Sequence, residues 1–353
     1  FKLTKAQKRV YQSIRAKLQN NLPVNVLLQG DVGCGKTIVA EMVLLDIIES
    51  GFQAAFMAPT AILAQQHFRT IADDFARLDI QPRLLISGLP NKEKELVKEE
   101  IRSGHAPLVI GTHALIQEDV VFSRLGLALV DEQHRFGVKQ RESLKSKGEQ
   151  VDTLIMSATP IPRTLALAVY GDLDVETIDE TPPGRKAVRT VYIHESKKGE
   201  VYEIVRQEVA SGNQAFLVFP IIDEAESEDS PAADLKAAVK MFEVLSKGPF
   251  KGIPLGLIHG RLKEEEKDAV MGRFVSGEVK VLVATTVIEV GIDVPKATVM
   301  VIENPERFGL AQLHQLRGRV GRSERHSYCF LVTNDTSEAS EKRLKYFSGC
   351  NDG

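Results

Sequence analysis

A chain of 353 residues is long for one hydrophobic core and predicts two domains. Its composition, 43% hydrophobic and 26% charged with no Trp, is that of a globular protein, and no apolar run approaches the roughly 18 residues a membrane span needs. A formal net charge of −3 excludes a globally basic nucleic-acid binder, so such a partner would require a local basic groove.

The chain opens on Phe1 rather than Met and carries no signal peptide, which predicts a piece excised from something longer. Cys34, Cys329 and Cys350 make neither metal-ligand spacing nor a disulfide framework, which fits a reducing cytoplasm. Thr4 is placed to cap a helix running from Lys8 to Leu18. Gln7, with an acceptor and two donors, suits the N6/N7 edge of adenine, although a solvated helix start explains it as well.

Val26, Leu27 and Leu28 form a buried strand, and Ile38 to Ile48 reads as a helix. Between them stands Gly30-Asp31-Val32-Gly33-Cys34-Gly35-Lys36-Thr37, a match to G-x-x-x-x-G-K-[ST] at every constrained position. Strand, glycine turn and helix aim backbone N–H groups at phosphate oxygens. Gly30, Gly33 and Gly35 would shape the cradle, Lys36 would reach the β- and γ-phosphates, and Thr37 would hold Mg²⁺.

Further strands are expected at Ala54–Ala58, Leu108–Ile110, Leu127–Val130 and Leu154–Met156. They end in Pro59-Thr60, Thr112-His113, Asp131-Glu132 and Ser157-Ala158-Thr159, at the carboxyl ends where open α/β sheets bind ligands. Thr60, Thr112 and His113 could donate to a phosphodiester backbone, or serve only as caps and turns. Asp131 would enter the Mg²⁺ shell, and Glu132 would position or deprotonate the attacking water. The alternation predicts a doubly wound parallel sheet over residues 1–180.

Ile178 to Lys186, with two prolines and a glycine, reads as a linker; the expected boundaries are a linker at 181–190 and a second α/β domain at 191–353. Strands are expected at Gln214–Ile222, Leu255–Ile258, Val279–Val283 and Thr298–Ile302, with a charged helix from Lys263 to about Phe274. No second phosphate loop appears. Instead, Gln312 to Arg322 places Arg317, Arg319 and Arg322 within six positions, the residue type that stabilises charge on a transferring phosphoryl group from a facing lobe.

Taken together, Gln7, the phosphate loop, Ala58-Pro59-Thr60, Gly111-Thr112-His113, Asp131-Glu132-Gln133-His134, Ser157-Ala158-Thr159, Ala284-Thr285-Thr286 and the glycine–arginine block ending at Arg322 resemble the motor core of superfamily 2 helicases. The segments Asp131–Val138, Tyr170–Val175, Pro182–Arg185 and Glu306–Arg322 are similar to the RecG family of bacterial ATP-dependent DNA helicases. The transcription-repair coupling factor shares much of this. It usually has Glu where Gln133 stands and a different segment at Tyr170–Val175.

The resemblance implies two tandem RecA-like domains, ATP and Mg²⁺ as cofactors, and double-stranded or branched DNA (stalled forks, Holliday junctions) as partner. It also implies a monomer in the bacterial cytoplasm with no membrane partner. Under it, Lys36, Thr37, Asp131 and Glu132 carry hydrolysis and Arg319 and Arg322 act as fingers. Gln315 senses the γ-phosphate, Gln7 reads adenine, and Gly291 and Asp293 lie in the segment that meets both nucleotide and DNA. Pro59, Thr60, Thr112, His113, Thr285 and Thr286 face the DNA backbone. The family's N-terminal wedge and C-terminal helical hairpin are not read here, which predicts a piece able to hydrolyse ATP without unwinding. A translocase of the transcription-repair coupling factor type is the runner-up, and a nucleotide-gated clamp without net turnover and an RNA helicase remain the other readings.

Overall fold

The structure, a computed structural model, describes residues 3–19, 23–131, 143–157, 173–180, 187–220, 232–285, 294–321, 325–335 and 337–350. The chain divides into two compact units, Phe1–Pro182 and Pro183–Gly353.

The first unit is built on strands β1 (Asn25–Gly30), β2 (Gln53–Met57), β3 (Arg83–Leu85), β4 (Leu108–Gly111), β5 (Leu125–Asp131), β6 (Asp152–Ser157) and β7 (Asp174–Ile178). They form one parallel sheet in the order β3-β4-β2-β5-β6-β1-β7. Every residue of β2, β4 and β5 is buried, as central strands covered on both faces must be, which is why they read as continuous apolar runs. Among the described residues the α-helices of this unit are α1 (Lys5–Leu18), α2 (Lys36–Glu49), α3 (Ala61–Phe75) and α4 (Asn91–Ser103). Val97 and Ile101 of α4 pack with Ala55, Met57, Val109 and Val130 from the sheet.

The second unit repeats the architecture. Strands β8 (Arg189–His194), β9 (Gln214–Val218), β10 (Leu255–Ile258), β11 (Val281–Ala284), β12 (Ala297–Glu303) and β13 (Tyr328–Thr333) form a parallel sheet in the order β10-β11-β9-β12-β13-β8. Its helices are α5 (Lys198–Ala210), α6 (Ala232–Lys247), α7 (Glu264–Val275), α8 (Leu310–Arg317) and α9 (Glu338–Gly349). Two tandem RecA-like α/β domains are therefore present. No helix among the described residues is long and apolar enough to cross a membrane.

The stretch expected as a linker is partly structured. Ile178 is the last residue of β7, Asp179 pairs with Arg9 at 2.8 Å, and Glu180 Oε2 accepts the Ala6 N–H at 3.1 Å. These bonds tie the end of the first sheet to the start of α1. At the other end, Arg189 and Thr190 already belong to β8, while residues 181–186 lie outside the described set.

Glu41 is a buried carboxyl on α2. Burial, reinforced by Asp74 on α3, pushes its pKa up to about 7. A raised carboxyl means that the folded state holds its proton while the unfolded chain has lost it. Stability is therefore full below the ordinary carboxylate range and falls as pH rises from about 4.5 to about 7. Replacing Glu41 with Gln removes the charge but keeps a donor for Asp74. The expected result is an unfolding midpoint that falls less steeply across that window and a gain of about 2 kcal/mol above pH 7, under the roughly 3 kcal/mol that the full shift allows. Chemical denaturation at pH 5 and pH 8 reads both, and a variant with the wild-type pH slope would refute the assignment.

Candidate functional site

All strands of the first sheet run parallel, so their carboxyl ends share one edge, and the polar strand exits meet there. The register fixes the spacing: Asp131 of β5 pairs with Met156 of β6, and Met156 with Leu28 of β1. Asp131 is thus level with Leu28 two strands away, about 10 Å at the usual interstrand spacing. The loop that leaves β1 at Gly30 folds back on its own start, Lys36 at the head of α2 reaching the Gly30 carbonyl.

The glycines of that loop have specific work. Gly33 and Gly35 hold φ of 78° and 89°, where a side chain would be strained. A Cβ on Gly30 would come within 2.6 Å of Cys34 Sγ and 2.9 Å of the Ile178 carbonyl. A Cβ on Gly35 would sit 2.2 Å from Gln7 Nε2. Gly35 is the N-cap of α2 and provides no side-chain cap, and the first turn carries no acidic residue. The N–H groups at this helix start are accordingly left for an anion. Lys36 Nζ donates to the carbonyls of Gly30 (2.8 Å) and Asp31 (3.1 Å), so its ammonium already lies over the loop. Burial pushes the Cys34 thiol up, leaving it a small packing residue rather than a nucleophile.

Gln7 is 5% exposed and does more than start a helix. It closes a capping box with Thr4: the Thr4 N–H donates to Gln7 Oε1 (2.9 Å) and the Gln7 N–H to Thr4 Oγ1 (3.1 Å). Its Nε2 donates to the Cys34 carbonyl at 2.9 Å, bracing α1 against the phosphate loop. Reading adenine through both amide groups would require Oε1 to exchange the Thr4 N–H for the base.

Asp131 ends β5, is 9% exposed, and accepts a bond from His67 Nε2 on α3 at 2.9 Å. The His67 ring packs at a tilt against Phe56 of β2, with ring centroids 4.5 Å apart. Sequence reading missed His67. The signal was there: Leu63, Ala64, His67 and Ile71 make one buried face of α3, and His67 is its polar member. Glu132 lies outside the described residues.

The DEAD/DEAH box helicase family matches residues 4–168 and the helicase conserved C-terminal domain matches residues 196–324. Over the whole chain, the sequence is 58% identical to the ATP-dependent DNA helicase RecG of Thermotoga maritima and 48% identical to that of Synechocystis, covering 45% and 42% of those proteins. A solved structure of RecG bound to a three-way DNA junction superposes with a TM-score of 0.87 at 56% identity, over all of this chain and 46% of that one.

The chain is a helicase core of the RecG family. It spans about half the length, or less, of the curated RecG relatives it matches. A yeast Dbp5 structure bound to RNA, with a TM-score of 0.69 at 20% identity, shares the fold alone.

The other site residues expected of a RecG core fall in contrasting places. Thr60 caps α3, accepting the Leu63 N–H at 3.4 Å, with half-buried Pro59 before it. His113 is exposed, but Thr112 is only 4% exposed and its Oγ1 has no hydrogen-bond partner. Thr112 is therefore not at the surface in this conformation. Half-buried Thr285 follows β11, its N–H donating to the Ile258 carbonyl at 3.1 Å. The neighbouring His259 has its pKa lowered by burial and by Arg261.

Of the three clustered arginines, Arg317 is a structural anchor. It donates to the carbonyls of Cys350 (2.5 Å) and Phe347 (3.4 Å), pairs with His314 at 2.8 Å, and lies over the Phe347 ring. Arg319 is buried at 2% exposure, and Gln315 is half-buried on α8. Arg322, Thr286, Gly291 and Asp293 lie outside the described residues.

Proposed function

We propose that the chain is the ATP-hydrolysing motor of a translocase that works as a monomer on double-stranded, branched DNA. The observation that carries the reading is Lys36 lying over a glycine cradle, on the same sheet edge as the Asp131 carboxylate. The residues suit Mg·ATP. Gly30 and Gly35 let the loop pack closely against Cys34, Ile178 and Gln7, and the uncapped start of α2 suits a triphosphate. Mg²⁺ is commonly held by few protein groups together with phosphates and water, so one hydroxyl and one carboxylate suffice. Thr37 and Asp131 would hold the ion, which would draw charge from the β- and γ-oxygens.

Gly33 and Gly35 open the loop, Lys36 contacts the transferring phosphoryl group, and Glu132 orients the attacking water. Arg319 and Arg322 supply positive charge as the bond breaks, and Gln315 reports the γ-phosphate. Gln7 is the adenine-side brace, and Gly291 and Asp293 lie where nucleotide and DNA meet. Pro59, Thr60, His113, Thr285 and Thr286 contact the DNA backbone, joined by Thr112 only when its buried hydroxyl is uncovered; this assigns no base sequence, because phosphate contacts position rather than specify. Remodelling of forks or Holliday junctions rests on the likeness to RecG, one of whose solved structures holds a three-way DNA junction.

The test is steady-state ATP turnover with no nucleic acid, single-stranded DNA, forked duplex DNA or RNA. Stimulation by forked or duplex DNA above single-stranded DNA and RNA is the expected result. Nucleotide binding without turnover in all four would sink the motor reading.

A further inference from the structure

We propose that His67 is a positioning residue for the metal-side carboxylate: it holds Asp131 in the orientation that receives Mg²⁺ and links that carboxylate to the helix that starts at Thr60. This rests on the assignment of Asp131 to the Mg²⁺ site under the proposed function.

Asp131 is a buried carboxylate, and a buried charge needs a partner. Among the described residues its hydrogen-bond partner is His67 Nε2, at 2.9 Å on Oδ2. A carboxylate only accepts, so Nε2 carries the proton. This choice of partner has a consequence for metal binding. Lys or Arg in that place would bring a full positive charge to the carboxylate and repel a cation. The imidazole fixes one oxygen, Oδ2, with a directed bond from Nε2 and leaves Oδ1 for the metal. Partners behind a metal ligand that do this typically account for 10–100-fold in metal affinity or activity.

The imidazole is itself held on two sides. Its ring lies against Phe56, with centroids 4.5 Å apart and planes tilted by 34°. Its backbone is on the buried face of α3, in line with Leu63, Ala64 and Ile71. Phe56 belongs to β2, the strand that delivers Pro59 and Thr60, and Thr60 caps the helix that carries His67. A shift of α3 at its Thr60 end therefore moves Nε2 relative to Asp131. A buried apolar residue at position 67 would fill the core equally well but could not transmit this.

The experiment compares wild type, His67→Ala, His67→Phe and His67→Gln in the 353-residue chain. Two readings are taken: the Mg²⁺ midpoint for binding a fluorescent ATP analogue, and Mn²⁺ binding with nucleotide by electron paramagnetic resonance. Metal-free melting curves report the fold. His67→Ala and His67→Phe are expected to raise the metal midpoint about tenfold or more. His67→Gln, whose Nε2 can donate from a similar position, is expected to restore most of it. A midpoint within twofold of wild type in His67→Ala would overturn the proposal. So would a loss in His67→Gln equal to that in His67→Ala with melting unchanged. If wild type itself binds nucleotide with no metal dependence, the function proposed above fails first and this inference with it.

Discussion

Replacing Lys36 with alanine is expected to lower steady-state ATP turnover by at least about 100-fold, with little change in the unfolding midpoint. The lost group is a preorganised positive charge at the position where charge develops on the transferring phosphoryl group. Removing one such preorganised donor from an active site typically costs about 10²–10³ in rate. The structural cost is small because Lys36 is half-buried and its two bonds go to loop carbonyls beside exposed Asp31. Those oxygens can be taken over by water. Turnover and melting therefore separate catalysis from folding: a variant with normal melting and normal turnover would remove Lys36 from the catalytic assignment. Lys36→Arg is informative as well, since its planar fork cannot reproduce a compact ammonium over the Gly30 and Asp31 carbonyls.

The glycine turn after β1 and the carboxylate that ends β5 were legible because their chemistry is local. Glycine spacing sets the turn, and an apolar run followed by Asp131 sets the strand exit. The central strands β2, β4 and β5 were legible because burial on both faces makes them apolar throughout. Edge elements were harder. β3 has only three residues, and β7 buries little beyond Ile178, so neither presents a continuous apolar run. Residues 178–180 looked like linker because prolines follow, whereas their partners Arg9 and Ala6 stand more than 160 positions earlier.

The site was harder to read where a side chain's role depends on a distant contact. Gln7 carries two donors and an acceptor in any sequence; only the fold shows Oε1 spent on Thr4 and Nε2 on Cys34. Thr112 follows a strand end just as Thr60 does, yet one hydroxyl is buried without a partner and the other caps a helix. His67 could be read as the polar member of a buried helix face, but its significance lies in Asp131, 64 positions away.

The arginine block makes the same point with a testable consequence. Arg317 and Arg319 are two residues apart and chemically identical in sequence. The fold gives Arg317 to α9: its guanidinium sits 4.6 Å from the Phe347 ring centroid and bonds the carbonyls of Phe347 and Cys350. Arg317→Ala removes this packing and strips a charged donor from two carbonyls at the end of α9. Leaving a buried polar group unpaired costs about 1–3 kcal/mol, and an arginine stem also contributes packing. The expected loss is about 3 kcal/mol of stability in the second unit, read by chemical denaturation. Proteolysis should cut first near α9, while nucleotide affinity of the first unit stays within a few-fold of wild type. Arg319→Ala is expected to behave oppositely if its guanidinium serves as a finger: turnover falls by about 10³ or more, the scale of such groups in GTPases, and nucleotide binding persists. Equal effects of the two substitutions on turnover, with equal stability, would show that the block acts as one basic patch and would overturn the separate roles assigned to Arg317 and Arg319.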